Sequence, residues 1–282
     1  MEALVIAAII LAGAIIVYSV FVEPYRIRVR ELTLSFPNLP PAFDGYTILH
    51  VSDFHLTKLG KLERRTMELI GSREVDSCII TGDVTAEPRA SDIFRRVCSA
   101  IRHRDTMFMV LGNSEHKPWL DPAMLVDALS FDGLRILVNS SAVIERDGQR
   151  TVLVGVDDAF EGFDDIGAAF EGVDPSEFII FLTHCPSTTP AALRHGADLI
   201  LAGHTHGGQI KLPGLKCFWT HMRANKRLND GLYTPNLLSS ILNTDAGSSA
   251  LFVNRGLGMS RLRARLLCPP EIAYITLRRG TQ

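Results

Sequence analysis

The chain has 282 residues, of which 46% are hydrophobic, so it is long and apolar enough to bury the core of one large domain. A formal charge of −2 and a pI near 6.5 exclude the strongly basic surface that is typical of nucleic-acid-binding proteins. The 5 cysteines are scattered without a CxxC pair, which excludes a disulfide-rich scaffold and indicates reduced thiols.

The N-terminal segment departs from the pattern of a soluble protein. Residues 3–22 are uncharged and apolar, and the run is long enough to cross a bilayer as one helix. Three arginines follow it, Arg26, Arg28 and Arg30. The only side-chain charge before it is Glu2, so the positive-inside rule keeps the rest of the chain in the cytoplasm. We predict an uncleaved, single-pass anchor in the inner membrane, and a cleaved export signal is the alternative.

Three segments follow from this pattern. Residues 1–24 are predicted to form the transmembrane signal anchor, residues 25–45 a connector, and residues 46–282 one domain. The connector contains an alternating strand at 25–36 and then a cluster of prolines, which is typical of an entry into a folded domain.

The first half of the domain repeats a cycle of apolar strand, polar loop and helix. Strands are predicted at 46–51, 77–81 and 106–111, and helices at 61–72 and 91–104. Short polar motifs follow these strands directly: Asp53-Phe54-His55, Gly82-Asp83 and Gly112-Asn113. The cycle is typical of parallel βαβ units, whose strands have their carboxyl ends at one edge of the sheet, where ligands bind.

The second half of the domain has a different order of predicted elements. A hairpin is predicted to turn at Asp147-Gly148, because this pair favours the turn that joins two antiparallel strands. The remaining predicted elements are strands at 135–138, 142–145, 151–156, 178–182, 198–202, 250–254 and 271–277, and a helix at 189–194. Residues 213–249 are predicted to be irregular. Their apolar groups, Cys217-Phe218-Trp219 and Leu237-Leu238 among them, form either a lipid-facing flap or a cover over a sheet edge.

Two strands of the second half also end at histidines. The strand at 178–182 is followed by His184, and the strand at 198–202 by Gly203-His204-Thr205-His206. Residues i and i+2 of an extended segment share a side, so His204 and His206 can aim their imidazoles into one site.

Five strand ends thus present seven oxygen and nitrogen donors. They are Asp53, His55, Asp83, Asn113, His184, His204 and His206. This set exceeds the four ligands of a tetrahedral zinc site and suits two divalent ions that share a bridging carboxylate. Because no cysteine takes part, Mn, Fe or Zn is expected rather than a thiolate-bound metal. Two carboxylates against four metal charges leave a cationic cluster, for which a phosphate group is the natural ligand.

The motifs Asp53-Phe54-His55, Gly82-Asp83, Gly112-Asn113, His184 and Gly203-His204-Thr205-His206 resemble, in this order, the signature of the calcineurin-like metallophosphoesterases. The tail, with Arg255-Gly256-Leu257-Gly258 and Cys268-Pro269-Pro270, is similar to a membrane-anchored branch that includes a UDP-2,3-diacylglucosamine pyrophosphatase of lipid A synthesis. The resemblance implies an α/β (α+β) four-layer sandwich, in which two β-sheets are flanked by helices and the metals lie in loops at the sheet ends.

The resemblance also implies a role for each donor. Asp53, His55 and His206 would hold one ion, Asn113, His184 and His204 the other, and Asp83 would bridge the two. Manganese is favoured, with iron or zinc as alternatives. The reaction implied is hydrolysis of a phosphoric ester or anhydride by a hydroxide that bridges the two ions.

One position departs from the family pattern. The family usually has a histidine after the asparagine, where it contacts the phosphoryl group and protonates the leaving oxygen, but this chain has Ser114. His116 lies two residues further on and would replace it only if the loop is remodelled; a solvated loop histidine is an equal alternative. A missing acid matters least when the leaving group is weakly basic, so Ser114 favours a pyrophosphate bond as the target.

The expected function is therefore that of a membrane-anchored UDP-2,3-diacylglucosamine diphosphatase of lipid A biosynthesis, with a lipid-linked nucleotide as its partner and its catalytic domain in the cytoplasm. Two alternatives stay open: a tethered phosphodiesterase or phosphatase with a soluble substrate, and a metal-binding pseudoenzyme. Three tail arginines, Arg261, Arg263 and Arg265, would share one side if the segment is extended.

Overall fold

A computed structural model of the chain describes residues 1–212 and 222–280. Its helices are α1 (Glu2–Phe21), α2 (Lys61–Ile70), α3 (Ser91–Cys98), α4 (Pro122–Leu129), α5 (Ile166–Ala169), α6 (Thr189–Arg194) and α7 (Pro235–Leu242). Its strands are β1 (Arg28–Phe36), β2 (Thr47–Val51), β3 (Glu74–Val75), β4 (Ser77–Thr81), β5 (Arg102–His103), β6 (Met107–Val110), β7 (Leu134–Leu137), β8 (Ser140–Arg146), β9 (Gln149–Gly155), β10 (Phe178–Leu182), β11 (Leu199–Ala202), β12 (Gly231–Tyr233), β13 (Ala250–Val253) and β14 (Glu271–Arg279).

Two six-stranded sheets carry the fold. The first has the strand order β1-β14-β2-β4-β6-β7, and the second has the order β12-β13-β11-β10-β9-β8. Strands β2, β4, β6 and β7 run parallel to one another, as do β9, β10, β11 and β13. Strands such as β4 and β10 are buried along their whole length, which explains why they read as continuous apolar runs.

Apolar side chains divide the domain into four layers. The inner core lies between the sheets and joins residues such as Ile48 and Phe108 of the first sheet to Leu153 and Leu201 of the second. A second cluster packs α2, α3 and α4 on the outer face of the first sheet, and a third packs α5, α6 and α7 on the outer face of the second. This helix–sheet–sheet–helix arrangement confirms the four-layer sandwich that the family resemblance implies.

The anchor helix α1 is almost wholly exposed, and it is long and apolar enough to cross a membrane. Its C-terminal end, in contrast, packs on the domain. The carbonyl of Ser19 accepts a hydrogen bond of 2.9 Å from the backbone N–H of Arg265. The carboxylate of Glu23, which is 2% exposed, accepts one from the backbone N–H of Cys268. We call Ser19, Glu23, Arg265 and Cys268 the anchor junction.

The structure differs from the predicted elements in three places. The connector strand is part of the first sheet, because β1 pairs in parallel with β14 along its whole length. The helix predicted at 91–104 ends at Cys98, after which the chain turns so that β5 pairs with β3. The region predicted to be irregular contains β12 and α7, and α7 begins at Pro235, a favoured first helical residue.

Candidate metal centre

The loops after five strands bring the predicted donors together. Asp53 and His55 follow β2, Asp83 follows β4, Asn113 follows β6, His184 follows β10, and His204 and His206 follow β11. Hydrogen bonds tie these loops to one another across the two sheets. The imidazole Nδ1 of His184 donates to the carbonyl of Thr81 at 2.7 Å, and the backbone N–H of His204 donates to Asp53 Oδ2 at 3.1 Å.

Four of the donors form a first group. One ligand atom from each of Asp53, His55, Asp83 and His206 lies within 4.8 Å of the others. The Nε2 atoms of His55 and His206 are 3.1 Å apart, and Asp53 Oδ1 is 3.4 Å from His206 Nε2. Nitrogen and oxygen atoms at these separations can converge on one cation, as the ligands of a single metal ion do.

A second group lies on the other side of Asp83. Its Oδ1 atom is 3.4 Å from His184 Nε2, whereas its Oδ2 atom is 3.4 Å from His55 Nε2 in the first group. His184 Nε2 is in turn 3.2 Å from His204 Nδ1. Asp83 therefore turns one oxygen to each group, which is the arrangement a bridging carboxylate needs.

The donor atoms fit divalent cations in two further respects. The buried Oδ1 atoms of Asp53 and Asn113 accept no hydrogen bond from any residue that the structure describes, although a buried acceptor is costly without a partner. In addition, the Nδ1 of His184 is engaged with the carbonyl of Thr81, so the ring turns Nε2 toward Asp83 and leaves that atom for a cation. Both observations are expected where metal ions complete the site.

The backbone at the site is strained. Five of the seven donor residues have a positive φ: Asp53 (51°), His55 (48°), Asp83 (53°), His204 (70°) and His206 (49°). Side-chain-bearing residues rarely adopt this region, and it costs free energy that the surrounding fold must compensate. Such strain is typical of positions where the direction of a side chain matters more than local stability.

Two glycines allow the loops to approach this closely. A Cβ atom on Gly112 would lie 2.5 Å from Asp83 Oδ1, and one on Gly203 would lie 2.6 Å from Asp53 Oδ2. Any larger residue at either position would displace a donor oxygen, which explains why a glycine precedes Asn113 and His204.

Electrostatic interactions within the cluster are strong because its members are buried. Burial alone would raise the pKa of the Asp83 carboxyl, but His184, His55 and the backbone N–H of Ser114 together hold that pKa well below its usual value. Burial, His55 and Arg265 lower the pKa of His206 well below its usual value, so its imidazole is neutral and available as a ligand.

Glu115 holds the loops of Asp83 and Asn113 together. Its fully buried carboxyl accepts hydrogen bonds from the backbone N–H groups of Asp83, Val84, Thr85 and Gly112 at 2.7–3.1 Å. Burial and the nearby Asp83 raise the pKa of Glu115 to about 8. Glu115 carries no motif in the sequence that marks this role; its only signal is an acidic residue two positions after Asn113.

Five of the seven donors, all except Asp53 and His184, line a cavity of about 320 Å³. Other groups on its wall are Ser114, Lys117, Phe160, Ser260 and Arg261. The ring of Phe160 packs against that of His204 at 4.7 Å, and it covers one side of the second group. Lys117 and Arg261 add two cations to the wall and Glu161 adds one carboxylate, and the remaining positive charge suits an anionic substrate.

His116 does not line this cavity in the part of the chain that the structure describes. Its Nε2 lies 2.6 Å from Asp157 Oδ1, and its ring stacks on that of Phe163 at 4.1 Å. Ser114, by contrast, is on the wall, with Oγ 3.3 Å from His55 Nδ1. The structure therefore gives no geometric support to the prediction that His116 replaces the missing histidine.

The tail arginines do not share one side. Arg261 has a φ of 55° and lines the cavity, and Arg263 is exposed, whereas Arg265 is fully buried. Its guanidinium donates to the carbonyls of Arg255, Gly256, Gly258 and Cys268, and one nitrogen is 3.5 Å from His206 Nδ1. No local pattern in the sequence distinguishes Arg265 from its neighbours.

The flap interpretation is not supported for α7. Leu238 is fully buried against the second sheet, and only Leu237 of that pair is exposed. Cys217-Phe218-Trp219 lies outside the described residues.

Cys268 lies beside the site but is not one of the candidate ligands. Burial raises the pKa of its thiol, and the nearest acceptor of the thiol is the carbonyl of His206 at 3.2 Å.

Comparison with known proteins identifies the relatives of this site. The calcineurin-like phosphoesterase family model matches residues 46–208. The chain is 29% identical over 278 residues to the uncharacterized metallophosphoesterase YkuE of Bacillus subtilis, covering 96% of this chain and 93% of that protein. It is 26% identical over 313 residues to the UDP-2,3-diacylglucosamine pyrophosphatase LpxG of Chlamydia trachomatis, covering 92% of each. It is 29% identical over 194 residues to a transmembrane protein with metallophosphoesterase domain of Bos taurus, covering 61% of this chain and 43% of that protein.

Proposed function

Because the chain belongs to the calcineurin-like phosphoesterase family, we propose that it hydrolyses the pyrophosphate bond of a lipid-linked nucleotide at a membrane surface, with UDP-2,3-diacylglucosamine as the best candidate substrate. Membership of this family makes the chain a metal-dependent hydrolase of phosphoric esters. The similarity to LpxG over most of both chains supports the choice of substrate.

In this proposal Asp53, His55 and His206 would hold one ion, Asn113, His184 and His204 would hold the other, and Asp83 would serve both. The two oxygens of Asp83, each 3.4 Å from a histidine of a different group, support this division. Two divalent ions, when bound, act as Lewis acids toward the phosphoryl group and supply a nucleophile at neutral pH. Manganese suits the oxygen and nitrogen donors, with iron or zinc as alternatives.

The other residues of the site orient groups and balance charge. Glu115 fixes the two loops that carry Asp83 and Asn113 through its four backbone hydrogen bonds. Lys117 and Arg261 are placed to attract the phosphates of the substrate into the cavity. Phe160 covers the ring of His204 and so limits the access of water to that side.

Ser114 supports a pyrophosphate as the bond that breaks. A serine hydroxyl is too weak an acid to protonate a departing alkoxide near neutral pH. A departing nucleoside monophosphate, whose second pKa is about 6, needs little protonation. Ser114 instead contributes its backbone N–H, which donates to Asp83 Oδ1 at 2.7 Å.

One observation carries the proposal of a lipid-linked substrate: the cavity wall and the anchor junction are parts of the same short segment. Arg261 lines the cavity, and four residues later the N–H of Arg265 donates to the carbonyl of Ser19 in the anchor helix. Leu262, which lies between these two arginines, is 54% exposed, and Leu267, which follows them, is 51% exposed. A cavity so close to the end of a membrane-spanning helix is placed to receive phosphates that a lipid holds at the bilayer surface.

The proposed topology follows the arginines after the anchor. Arg26, Arg28 and Arg30 favour a single-pass helix in the inner membrane with the catalytic domain in the cytoplasm. The four cysteines in the described residues are free and buried, which is consistent with a reducing compartment. We keep residues 1–24 as the anchor, 25–45 as the connector and 46–282 as the phosphoesterase domain, with β1 joining the connector to the first sheet. Protease treatment of intact spheroplasts should leave the domain undigested; its digestion from outside would reverse the topology.

The substrate is tested by steady-state hydrolysis with the full-length protein in detergent micelles. Three compounds are compared: UDP-2,3-diacylglucosamine, its deacylated form and a simple alkyl phosphodiester. The diacylated compound should have the highest kcat/KM, because binding energy from remote acyl groups helps to position the reacting phosphate. Equal efficiency on all three, or preference for the alkyl ester, would contradict the assignment and favour a tethered phosphodiesterase. Turnover of none of them would favour a metal-binding pseudoenzyme.

Variants separate membrane access from chemistry. Leu262→Gln and Leu267→Gln should lower kcat/KM for the diacylated compound several-fold but leave hydrolysis of the deacylated one unchanged. Val143→Gln is the matched control, because Val143 is 38% exposed on β8 and lies on neither the cavity nor the anchor junction. Equal losses on both substrates would mean that the two leucines support the fold rather than lipid access.

A further inference from the structure

A second cavity lies beside the C-terminal end of the anchor helix. It is a groove of about 800 Å³ between the last turn of α1 and one face of α2. It shares no lining residue with the metal cavity in the described part of the chain. We call it the anchor groove and define it by Phe21, Val22, Tyr25, Arg26, Lys61, Arg64, Arg65 and Glu68.

The two walls of the anchor groove have opposite character. The wall from α1 and the turn after it is apolar and aromatic, and Phe21, Val22 and Tyr25 are 68%, 42% and 37% exposed. The wall from α2 is basic. Lys61 and Arg64 are three residues apart, so they lie on one face of the helix and point away from its buried face.

Among the described residues, three of the four basic groups have no carboxylate partner. Of the four cations, Arg65 alone has a carboxylate within ion-pair distance in residues 1–212 and 222–280, namely Glu68 at 2.8 Å. Arg26 is held against the anchor helix by a hydrogen bond of 2.9 Å to the hydroxyl of Tyr18. Lys61 lies over the ring of Tyr25, with Nζ 5.1 Å from the ring centroid. Three cations are therefore available to an anion, and two of them are positioned by aromatic residues of the anchor segment.

From this geometry we infer that the anchor groove binds the headgroup of an anionic glycerophospholipid. The groove begins at the residue where the apolar helix ends, which is the depth of the headgroups when α1 spans the bilayer. The phosphate faces Arg26, Lys61 and Arg64, while the glycerol and upper acyl chains lie along Phe21 and Val22. Free phosphate carries a negative charge as the lipid headgroup does, but it has no acyl chains. It would therefore contact only the basic residues of the groove.

Binding in the groove also sets the tilt of the domain on the membrane. Because α2 follows the loop that carries Asp53 and His55, a lipid held against α2 holds this side of the domain close to the headgroups. The inference depends on the anchor lying in a membrane, but it does not depend on which phosphate compound the metal cavity hydrolyses. A failed substrate assignment and a failed lipid site are therefore separate results.

The test is native mass spectrometry of the full-length protein in detergent, titrated with phosphatidylglycerol or with phosphatidylcholine of the same acyl chains. Wild type should retain phosphatidylglycerol with at least about fivefold higher affinity, and Lys61→Gln/Arg64→Gln, in which only Arg26 still faces the phosphate, should lose most of this preference, since each basic residue near the surface contributes about fivefold. The matched control is Arg96→Gln/Arg102→Gln, which removes two exposed cations from α3 and β5. It should behave as wild type.

Three outcomes would overturn the inference. These are equal binding of the two lipids by wild type, an unchanged preference in Lys61→Gln/Arg64→Gln, and competition by inorganic phosphate as effective as that by phosphatidylglycerol. The last would indicate a free-anion site. Melting temperature and hydrolysis of a soluble phosphodiester are measured for each variant. Both should be unchanged, because neither residue lines the metal cavity or the inner core.

Discussion

The metal centre and the anchor junction are both buried and polar, yet they are built in opposite ways. The metal centre gathers side chains from five separate strand ends, and five of its seven residues hold a strained backbone in order to aim those side chains. The anchor junction is made mainly of backbone groups, which are bound by the side chains of Arg265 and Glu23. The difference indicates that the first region serves chemistry at the expense of local stability, whereas the second serves stability and position.

The comparison predicts that substitutions in the two regions fail differently. A change in the metal centre should remove activity and leave the fold intact, and a change in the junction should weaken the fold first. Arg265 is the point of contact between them, because its guanidinium also approaches His206.

Asp83→Asn should abolish activity, with a loss of at least about 10³-fold on any phosphodiester, because the amide cannot supply a charged oxygen to both groups. Elemental analysis should find two ions per chain in wild type and fewer in the variant. The metal-free variant should still fold, because the amide oxygen of asparagine can accept the hydrogen bond from the backbone N–H of Ser114. Wild type with one ion or none would contradict the two-ion site. Asp157→Asn, which alters the carboxylate beside His116 off the cavity wall, is the control and should keep its ions.

Arg265→Met should lower the free energy of unfolding by about 3 kcal/mol, because four buried backbone carbonyls lose their donor. Activity should fall as well, since the same loop contacts His206 and Asp53. Chemical denaturation of full-length protein measures the change, with Arg263→Met as the matched control on an exposed neighbour. A variant as stable as wild type would show that the junction does not support the fold, and the contrast with the metal centre would fail.

Ser114→Ala tests whether the side-chain hydroxyl of Ser114 contributes to catalysis in the metal centre. Alanine keeps the backbone N–H that binds Asp83 and removes only the hydroxyl near His55. Turnover of a pyrophosphate substrate should therefore fall by less than about tenfold, which is about 1.4 kcal/mol of barrier. An alkyl phosphodiester, with its strongly basic leaving group, should be cleaved poorly by both forms. A loss far above tenfold would mean that the serine hydroxyl takes part in catalysis.

The smallest effect concerns an ion pair away from both regions, and it provides a baseline. Asp76 accepts hydrogen bonds from Thr47 and from Arg146, and so joins the first sheet to the hairpin of the second. Burial tends to raise the pKa of the Asp76 carboxyl, but Arg146 and Thr47 outweigh burial and hold it below its usual value. A carboxyl whose folded-state pKa is depressed stabilises the fold above its unfolded pKa, about 3.9, and loses that contribution as the pH falls through the folded value.

Arg146→Met should therefore lower the free energy of unfolding at neutral pH by less than about 1 kcal/mol. The difference from wild type should shrink as the solution is acidified below about pH 4. Denaturation curves at a series of pH values measure this, with Arg194→Met, an exposed helix residue, as the control. A difference that grows on acidification would contradict the sign of the argument.

The location of the candidate donors was predictable because the signals for it are local. Apolar runs such as 178–182 and 199–202 identify buried strands, and the polar residue that follows each run marks its carboxyl end. Parallel strands place these ends at one edge, so the seven donors were expected to meet. The hairpin at Asp147-Gly148 was confirmed for the same reason, since a turn pair depends only on its own backbone conformation.

The sequence by itself therefore determined most of the buried strands, the residues at their ends, and an apolar segment long enough to span a membrane. Only the tertiary structure decided that Glu115 holds two loops together, that His116 turns to Asp157, and that Glu23 reaches Cys268 across 245 positions of the chain. The physical reason is the separation along the chain of the residues that interact. Side-chain periodicity is a property of neighbouring residues, whereas a buried hydrogen bond between distant loops exists only after the two sheets have packed and fixed the distance between them.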